Sequence, residues 1–497
     1  MGSLATTRLI QFVSNCTRQA TTCVTLLVTG LLAATSVHAA TPEGDWFLQA
    51  GATGDGKSAA NPTGSSATVE RQSVDGDTII LLPGDAAIEG GLALKTGQHL
   101  VGVSGSGRKP VLTNSDPKRN SGCGIVLAGG NHVLNLRIEN PYASGIYGVN
   151  TSGVRIDGVD VNGANGSESF VDAAYPTLPG SLPHGGMVFV HSESSGRAAA
   201  DISITSSQIT RAAGFGIASV TSGSAHSSLS ISHTKVEGGS RIGFFDAGIS
   251  ALSQGSEARV QLEVSDSEVQ GRLSRSGRNV MVVASGGAHA NARINRFVSG
   301  PTGQDGIVGA VMQSPSEISI SISSSLIEGA GQMNVEGSLI NLPPDDPSQA
   351  DRARVSLDIV GSTIRNAGAV SGFEDVAANV WLGASQFLKD QPPARGVYQL
   401  RIRESRIEGA GRSGLEFGDL DFLKEGQVDK SEYDVVLRGN TIVNNGDAEI
   451  MIYAPGASID ARGNCWGRAE GLAENRVTTL PPAGLSQLDI TEPMPCE

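Results

Sequence analysis

A short phrase recurs along this 497-residue chain, and it constrains the possible fold more than any other feature. The phrase is a β-branched or large apolar residue, one free position, and then Gly or Asn, followed by a second short apolar run. Clear copies lie at 326–337, 363–370, 406–417 and 441–452, and a looser copy lies at 235–246. Such repetition indicates units that bury their apolar residues only by stacking on one another.

One slot of the phrase alternates between Gly and Asn. These residues adopt the left-handed αL conformation most readily, so the slot predicts a sharp corner between two strands. The slot is occupied by Asn140, Gly163, Gly238, Gly271, Gly300, Gly329, Asn366, Gly409 and Asn444, with Arg211 as the exception.

A third stretch with alternating apolar residues precedes each corner, as in ISISIS (318–323) and YQLRIR (398–403). Three short strands and their corners form one coil of constant design, while the loops that leave it vary in length. The pattern predicts an all-β protein, a right-handed parallel β-helix solenoid with a short N-terminal helical cap at 66–74. The chain lacks the fixed period and the regular Leu positions of leucine-rich repeats. A β-propeller is the remaining alternative.

The first 39 residues predict a signal peptide. Arg8 and Arg18 precede an apolar run at 24–34 that is too short to span a bilayer, and small residues follow it. An uncleaved membrane anchor is the alternative. We divide the chain into the signal peptide (1–39), an N-terminal extension and cap (40–76), the β-helix (77–467) and a C-terminal tail (468–497), and expect a secreted or periplasmic location.

Charge and cysteine content narrow the partners and the compartment. The formal net charge is −14, and about −16 without the two Arg of the leader, so nucleic acid and bare anionic membranes are not expected partners. Cys465 and Cys496 bracket a Pro-rich tail, and an exported chain can oxidise its thiols. We therefore predict a Cys465–Cys496 disulfide and a buried, reduced Cys123.

Both ends of the predicted solenoid resemble a known family. The opening GATGDGKSAANPTGSSATVERQSVDGDTIILLPG (51–84) is similar to the start of pectin-lyase-like β-helix proteins, and SIDARGNCWG (458–467) resembles their Asn-x-Trp-Gly closure. The resemblance implies this fold over nearly the whole mature chain. It implies no single activity, because the fold hosts lyases, hydrolases, epimerases and non-catalytic surface proteins.

Two further motif comparisons limit the chemistry. GATGDGKS (51–58) matches the phosphate-binding pattern GxxxxGK[ST], but the following AANPTGSS cannot start the required helix, so we expect Lys57 to be solvated. The catalytic phrases of polygalacturonases, alginate epimerases and pectate lyases are absent. No His/Cys cluster has metal-ligand spacing, and we predict no cofactor.

The strand after the Gly/Asn corner predicts an outward ladder, because residues next to inward apolar positions face the other side. Its members are Tyr147, Ala218, Asp246, Met281, Val308, Glu336, Trp381, Glu416 and Met451. Aromatic rings stack on sugars and carboxylates bind hydroxyls, so Tyr147, Asp246 and Trp381 predict a polysaccharide strip, partly covered by loops. Glu336 and Glu416 would lie two coils, about 9.6 Å, apart, close to the acid–base separation of inverting glycosidases. The alternative is that both are merely solvated.

Two loops add candidate residues. His184, in the insertion 162–186, is either a proton carrier or part of a plain turn. Arg272, Arg275 and Arg278 either hold the carboxylates of an acidic polysaccharide, and stabilise the enolate of a β-elimination, or only aid solubility. The sequence predicts an exported β-helix that binds polysaccharide along its flank. Cleavage by a lyase or glycoside hydrolase stays open, and a non-catalytic surface or matrix scaffold is the competing class.

Overall fold

The computed structural model describes residues 43–171, 182–192, 200–239, 247–342, 348, 351–368, 377–385, 394–418, 429–468, 470–479 and 487–496. Within these residues the chain passes through three sheets in turn and then repeats the circuit one strand further along each sheet. Successive strands of each sheet are parallel; a short antiparallel hairpin, Thr53–Ser58 with Asn61–Thr63, is added at the N-terminal end. The predicted all-β parallel β-helix is confirmed.

We number the sheets in the order in which a coil visits them. Sheet 1 contains Trp46–Leu48, Thr78–Leu81, His99–Gly102, His132–Leu134, Val154–Asp157, Ala200–Thr205, His226–Ser232, Arg259–Ser265, His289–Asn295, Glu317–Ser323, Ala353–Val360, Gly396–Arg403, Glu432–Arg438, Ala457–Asp460 and Gln487–Asp489. Sheet 2 contains Val111–Leu112, Arg137–Glu139, Asp160–Asn162, Gln208–Thr210, Lys235–Glu237, Glu268–Gln270, Val298–Ser299, Leu326–Glu328, Thr363–Arg365, Arg406–Glu408 and Thr441–Val443. Sheet 3 contains Leu92–Ala93, Ile125–Leu127, Ile146–Val149, Gly185–His191, Phe215–Ser222, Ala247–Gln254, Arg278–Ser285, Ile307–Gln313, Met333–Leu342, Ala378–Ser385, Ser413–Phe417, Ala448–Ile452 and Val477–Thr479.

The core is a set of apolar columns that run along the solenoid axis. In sheet 3, for example, Val335, Val380, Leu415 and Ile450 pair in successive coils, and each is 0% exposed. Each strand is too short to bury an apolar face alone, so stacking supplies the hydrophobic stabilisation. The columns also set the direction of every neighbouring side chain in the strand.

The corner between sheets 2 and 3 has the predicted backbone conformation. Asn140, Gly329, Asn366, Gly409 and Asn444 all have φ between 46° and 73°. The exception in the sequence, Arg211, adopts the same conformation with φ of 53°, whereas Gly300 has no positive φ. The slot thus imposes a left-handed turn even on one residue type that rarely adopts it.

The corner between sheets 1 and 2 carries an internal hydroxyl and amide ladder that the repeat phrase did not reveal. Ser362 and Ser405 illustrate it: the Ser362 N–H donates to Ser405 Oγ at 3.1 Å, and Ser405 Oγ donates to the Arg403 carbonyl at 2.8 Å. Asn440 continues the ladder by accepting the Ser405 N–H at 3.0 Å. These bonds satisfy backbone groups that a tight buried corner would otherwise leave unpaired.

Both ends of the solenoid agree with the sequence analysis where they are described. The predicted cap is the helix Ser66–Gln72, whose N-cap Ser65 accepts the Thr68 N–H at 3.1 Å. Two single-turn 3₁₀ helices lie at Asn120–Gly122 and Glu474–Arg476. The stretch 51–58 forms a hairpin strand instead of a phosphate loop, and Lys57 lies 3.3 Å from the centre of the Trp46 ring.

The three cysteines of the described chain are placed as predicted. Cys465 and Cys496 form a disulfide with Cα atoms 5.1 Å apart, and Cys123 is a buried free thiol. Burial raises the pKa of Cys123 to about 12, so this thiol is unreactive. The tail itself contributes strands to sheets 1 and 3, at Gln487–Asp489 and Val477–Thr479. The domain boundaries themselves stay predictions.

Candidate functional site

Most of the predicted ladder on sheet 3 is in register. Met281, Val308, Glu336, Trp381, Glu416 and Met451 pair with one another in successive coils. Their inward neighbours, such as Val335 and Val380, belong to the core, so the ladder faces outward. Strand alternation was therefore sufficient to place these six side chains on one flank.

In the coil for which Asp246 was predicted, Ser250 occupies the ladder position. The strand of that coil begins at Ala247, and Ser250 pairs with both Ala218 and Met281. Asp246 itself lies outside the described residues. The predicted ladder also left out one coil. Its member there is Val188, which pairs with Tyr147 on one side and with Ala218 on the other. The phrase FFD resembled the other copies, but the loop before this strand is longer than in the copies at 326–337, 406–417 and 441–452, and the ladder position lies four residues later, at Ser250.

The outer face of sheet 3 is a buried layer and not an open strip. An apolar cluster covers it and includes Met281, Val308 and, from the described part of the 162–186 insertion, Val171 and Leu182. Trp381 is only 6% exposed; its indole N–H donates to the Gly418 carbonyl at 3.2 Å. In this structure Trp381 stabilises the flank by packing and offers no ring face to a ligand.

Glu336 belongs to a charged group that the sequence analysis missed. Arg278 Nε lies 3.1 Å from Asp305 Oδ2, and the Asp305 Oδ1 accepts the Met333 N–H at 3.3 Å. Burial raises the pKa of Asp305 well above its usual range, and the neighbouring Glu336 raises it further, whereas Arg278 lowers it. Val280 and Ile307 pair in neighbouring strands, and Arg278 and Asp305 each lie two residues before them. Alignment of the two strands in the sequence could therefore have indicated that Arg278 and Asp305 are neighbours.

Glu416 lies on the same flank as Glu336 but has its own partners. Its Oε2 accepts the Ser413 hydroxyl at 3.0 Å, and its Oε1 lies 3.8 Å from Arg412 Nη2. Arg412 in turn donates to the Tyr453 hydroxyl at 2.6 Å. The strand that carries Trp381 separates the two glutamates.

The structure brings His184 and Tyr147 together. His184 is 6% exposed, its Nδ1 lies 2.8 Å from Ser144 Oγ, and its ring meets the Tyr147 ring edge-on with centroids 5.2 Å apart. The pair closes one end of the buried layer on sheet 3 and does not reach the glutamates by any described contact.

The three arginines of the 271–278 loop do not form one patch. Arg272 is 0% exposed, and its guanidinium donates to the carbonyls of Gly238, at 3.0 Å, and Gly214. Arg278 is bound to Asp305, and only Arg275 is exposed. Arg272 thus links the backbones of two earlier coils, which is a structural role. The sequence GRLSRSGR alone could not distinguish this role from anion binding.

An open groove lies elsewhere, on the outer face of sheet 1, with a volume of about 500 Å³. Its floor is a column of uncharged hydrogen-bonding side chains that pair in register over six successive coils, each exposed or half-buried. These are Ser228, Gln261, Asn291, Ser319, Ser356 and Gln399. At about 4.8 Å per coil the column spans about 24 Å. We call this feature the sheet 1 groove.

One rim of the sheet 1 groove carries charged and imidazole side chains in a second column. Its members, in register, are His226, Arg259, His289, Glu317 and Arg354. Glu317 lies between two cation-forming groups, with Oε2 3.4 Å from His289 Nδ1 and Oε1 3.6 Å from Arg354 Nε. Strand alternation in sheet 1 was the signal that could have indicated this column from the sequence.

No family model matches the sequence, and no curated protein matches it. Among solved structures, a single-substitution mutant of the periplasmic alginate epimerase AlgG is similar at 10% identity and a TM-score of 0.45, over 83% of this chain and 82% of that one. Two more β-helix structures are similar: the AlgE6 A-module of Azotobacter vinelandii (13% identity, 84% and 95% covered, TM-score 0.38) and the GH136 lacto-N-biosidase of Eubacterium ramulus (12%, 90% and 67%, 0.37).

Two kinds of feature are not found in the described part of this β-helix protein. No group of three or more His, Cys, Asp or Glu side chains there is arranged to hold a metal ion. No helix among the described residues is long and apolar enough to cross a membrane.

Proposed function

We propose that this protein is an exported polysaccharide-binding protein whose ligand lies in the sheet 1 groove, along the axis of the β-helix. The observation that carries the proposal is the groove floor, in which six uncharged polar side chains are held in register over six coils. A sugar residue is about as long as one coil is high. Successive residues of a linear glycan therefore meet equivalent donors and acceptors.

The chemistry of the floor suits hydroxyl groups. Ser, Asn and Gln both donate and accept hydrogen bonds, as sugar hydroxyls do. Each such bond contributes only about 0.5–1.5 kcal/mol net, so useful affinity requires several in a row. A polymer forms several such hydrogen bonds but loses its translational freedom only once. The β-helix holds the side chains of the groove floor in place before the ligand binds, which lowers the entropic cost of binding.

The cysteine chemistry supports export. A disulfide such as Cys465–Cys496 persists in oxidising compartments outside the cytoplasm. Extracellular and periplasmic polysaccharides are found in the same compartments. The signal peptide at 1–39 lies outside the described residues and stays a prediction.

Retention on a panel of immobilised glycans tests the proposal. The double variant Gln261→Ala, Asn291→Ala should lose about tenfold in affinity, as expected for two hydrogen bonds, with unchanged melting temperature. The matched control is Gln208→Ala, Gln270→Ala on the outer face of sheet 2. If no glycan is retained, or if the control loses as much as the groove variant, the proposal is wrong and the non-catalytic scaffold is favoured.

A specific observation favours cleavage as a second candidate function. Asp305 holds a proton more tightly than a free carboxyl group and shares a hydrogen bond with Glu336. Two carboxyl groups whose surroundings separate their proton affinities are the requirement for general acid–base hydrolysis. In this proposal the half-buried Glu336 acts on the glycan as acid or base, and the fully buried Asp305 sets the protonation of Glu336 through their shared hydrogen bond.

New reducing ends, or the absorbance of unsaturated uronates, would reveal turnover of a retained glycan. Asp305→Asn and Glu336→Gln should each abolish turnover without changing retention in the sheet 1 groove. Glu416→Gln and His184→Gln test the other two predicted catalytic residues in the same assay. Activity that survives in both Asp305→Asn and Glu336→Gln contradicts this candidate, as does a wild-type protein that forms no product.

A further inference from the structure

We infer that the ligand of the sheet 1 groove is a sparsely charged polysaccharide, a largely neutral chain that carries isolated anionic groups about three residues apart. This inference rests on the function proposed above and names the class of glycan. The three outward columns of sheet 1 that form the groove differ in the charges they carry.

The floor of the groove provides no countercharge. All six of its side chains are uncharged, and Gln261 already donates to Glu263 at 2.9 Å. A glycan that carried a carboxylate on every residue would desolvate these groups at each coil without an ion pair in return. A neutral backbone meets the floor at no such cost.

The rim beside the floor offers cations at separated positions. Arg259 and Arg354 are exposed and lie three coils, about 14 Å, apart. Arg259 forms no ion pair with the residues that the structure describes. An anionic substituent placed opposite each arginine gains a charge-assisted hydrogen bond.

Glu317 occupies the coil next to Arg354 and disfavours a second anion there. Its carboxylate side chain is 45% exposed, and its two contacts, at 3.4 and 3.6 Å, are longer than hydrogen bonds. It therefore keeps an accessible negative charge at the groove edge. A ligand with a carboxylate at this coil is repelled, so the rim accepts anions at intervals.

The opposite side of the floor is electrically balanced. Arg293 pairs with Glu263 at 3.2 Å, Arg401 pairs with Asp434, and Asp358 is paired at 2.9 Å with Arg403, which lies two residues further along the strand of Arg401. Anionic groups of the ligand gain nothing on that side and should all point to the Arg259 side. The whole chain also carries a formal net charge of −14, which opposes a densely charged polymer over distances up to the Debye length.

The experiment measures binding to polysaccharides that share one glycan backbone and differ only in their charge density. Two series serve as probes: pectins from fully methyl-esterified to fully de-esterified, and carboxymethyl dextrans from unsubstituted to highly substituted. Affinity is measured for each member at fixed ionic strength. We expect a maximum at intermediate charge in at least one series. Affinity that rises up to the fully charged member, affinity that does not depend on charge, or no binding in either series overturns the inference.

Variants of the rim residues test whether they determine which charge density binds most tightly. Glu317→Gln should move the maximum to higher charge density and raise affinity for the fully charged member several-fold. Arg259→Gln with Arg354→Gln should move it to the neutral member. The matched control is the double variant Glu263→Gln, Arg293→Gln on the opposite side, which removes both members of an ion pair and should leave the maximum in place. A shift in the control as large as that in the rim variants also overturns the inference.

Failure here can be distinguished from failure of the proposed function. If the panel retains a glycan through the groove floor but the graded series shows no intermediate maximum, the protein binds polysaccharide and only the charge class is wrong. If the panel retains nothing, the proposed function itself fails.

Discussion

Gly409 lies against Asn366 of the preceding coil, and a Cβ atom at position 409 would come within 2.5 Å of the Asn366 side-chain Oδ1. The φ of Gly409 is 69°, in the region that side chains other than Gly and Asn rarely adopt. A side chain at position 409 would therefore destabilise the protein in two independent ways: by left-handed backbone strain and by a steric clash with the preceding coil.

Substitution of Gly409 should separate these two costs. Gly409→Val should lower the free energy of unfolding by more than the 1–2 kcal/mol, roughly, of left-handed strain alone. Gly361→Val is the control, since its φ is also positive but nothing lies within 4 Å of its Cβ position. Urea denaturation measures both. Equal losses in the two variants would show that the clash contributes nothing.

Removing the disulfide should loosen the C-terminal coil first. Cys465 and Cys496 are 31 residues apart in sequence, a loop whose closure stabilises by about 3–4 kcal/mol in the chain-entropy model. The double variant to Ser should be cleaved by protease between residues 470 and 496 before the remaining coils open. Cys123→Ala is the control and should not change the cleavage pattern. Simultaneous digestion of the whole chain would contradict a local role for the bond.

His191 should make the protein less stable in mild acid. Its ring is 0% exposed, neither ring nitrogen has a hydrogen-bond partner among the described residues, and burial lowers its pKa from 6.5 to about 4. The stability that the neutral ring contributes is present above pH 6.5 and is lost as the pH falls towards 4, because the unfolded chain then binds the proton first. The full effect is about 3 kcal/mol.

Denaturation at pH 7.5 and at pH 5 measures this dependence. His191→Leu should flatten it, and His233→Asn, at an exposed left-handed corner position, should not. If the wild-type protein and His191→Leu lose stability equally in acid, the buried imidazole is not the cause.

The Arg278–Asp305 pair should respond asymmetrically to the loss of either partner. Removing one member of a buried pair costs about 3–5 kcal/mol because the other charge stays buried. In Arg278→Met the remaining Asp305 can take up a proton. Its raised pKa means that stability is retained at low pH and lost as the pH rises through that pKa, so mild acid should rescue this variant.

Asp305→Asn leaves the arginine charged at every accessible pH, so acid should bring no rescue. Melting temperatures at pH 5 and pH 8 compare the two variants directly. Equal pH dependence of Arg278→Met and Asp305→Asn would contradict the protonation of Asp305.

The predictable part of this structure is local. The Gly/Asn slot indicated the φ of Asn366 and Gly409, because that preference belongs to one residue and its own backbone. Alternation indicated that Glu336, Trp381 and Glu416 share a flank, because successive side chains of a strand face opposite sides. Alternation did not indicate Ser250 as the ladder residue of its coil, because a loop of different length precedes that strand and no local rule counts residues across a loop.

By itself the sequence therefore determined the coil: its corners, its inward columns, its helical cap and the pairing of its two C-terminal cysteines. Only the tertiary structure decided what each outward column does. Trp381 is outward yet buried, Arg272 is charged yet internal, and Asp305 meets Arg278 across neighbouring coils. Direction along a strand follows from backbone geometry, whereas exposure depends on segments far away in sequence that pack on the same face, which is why sheet 3 is covered and the sheet 1 groove is open.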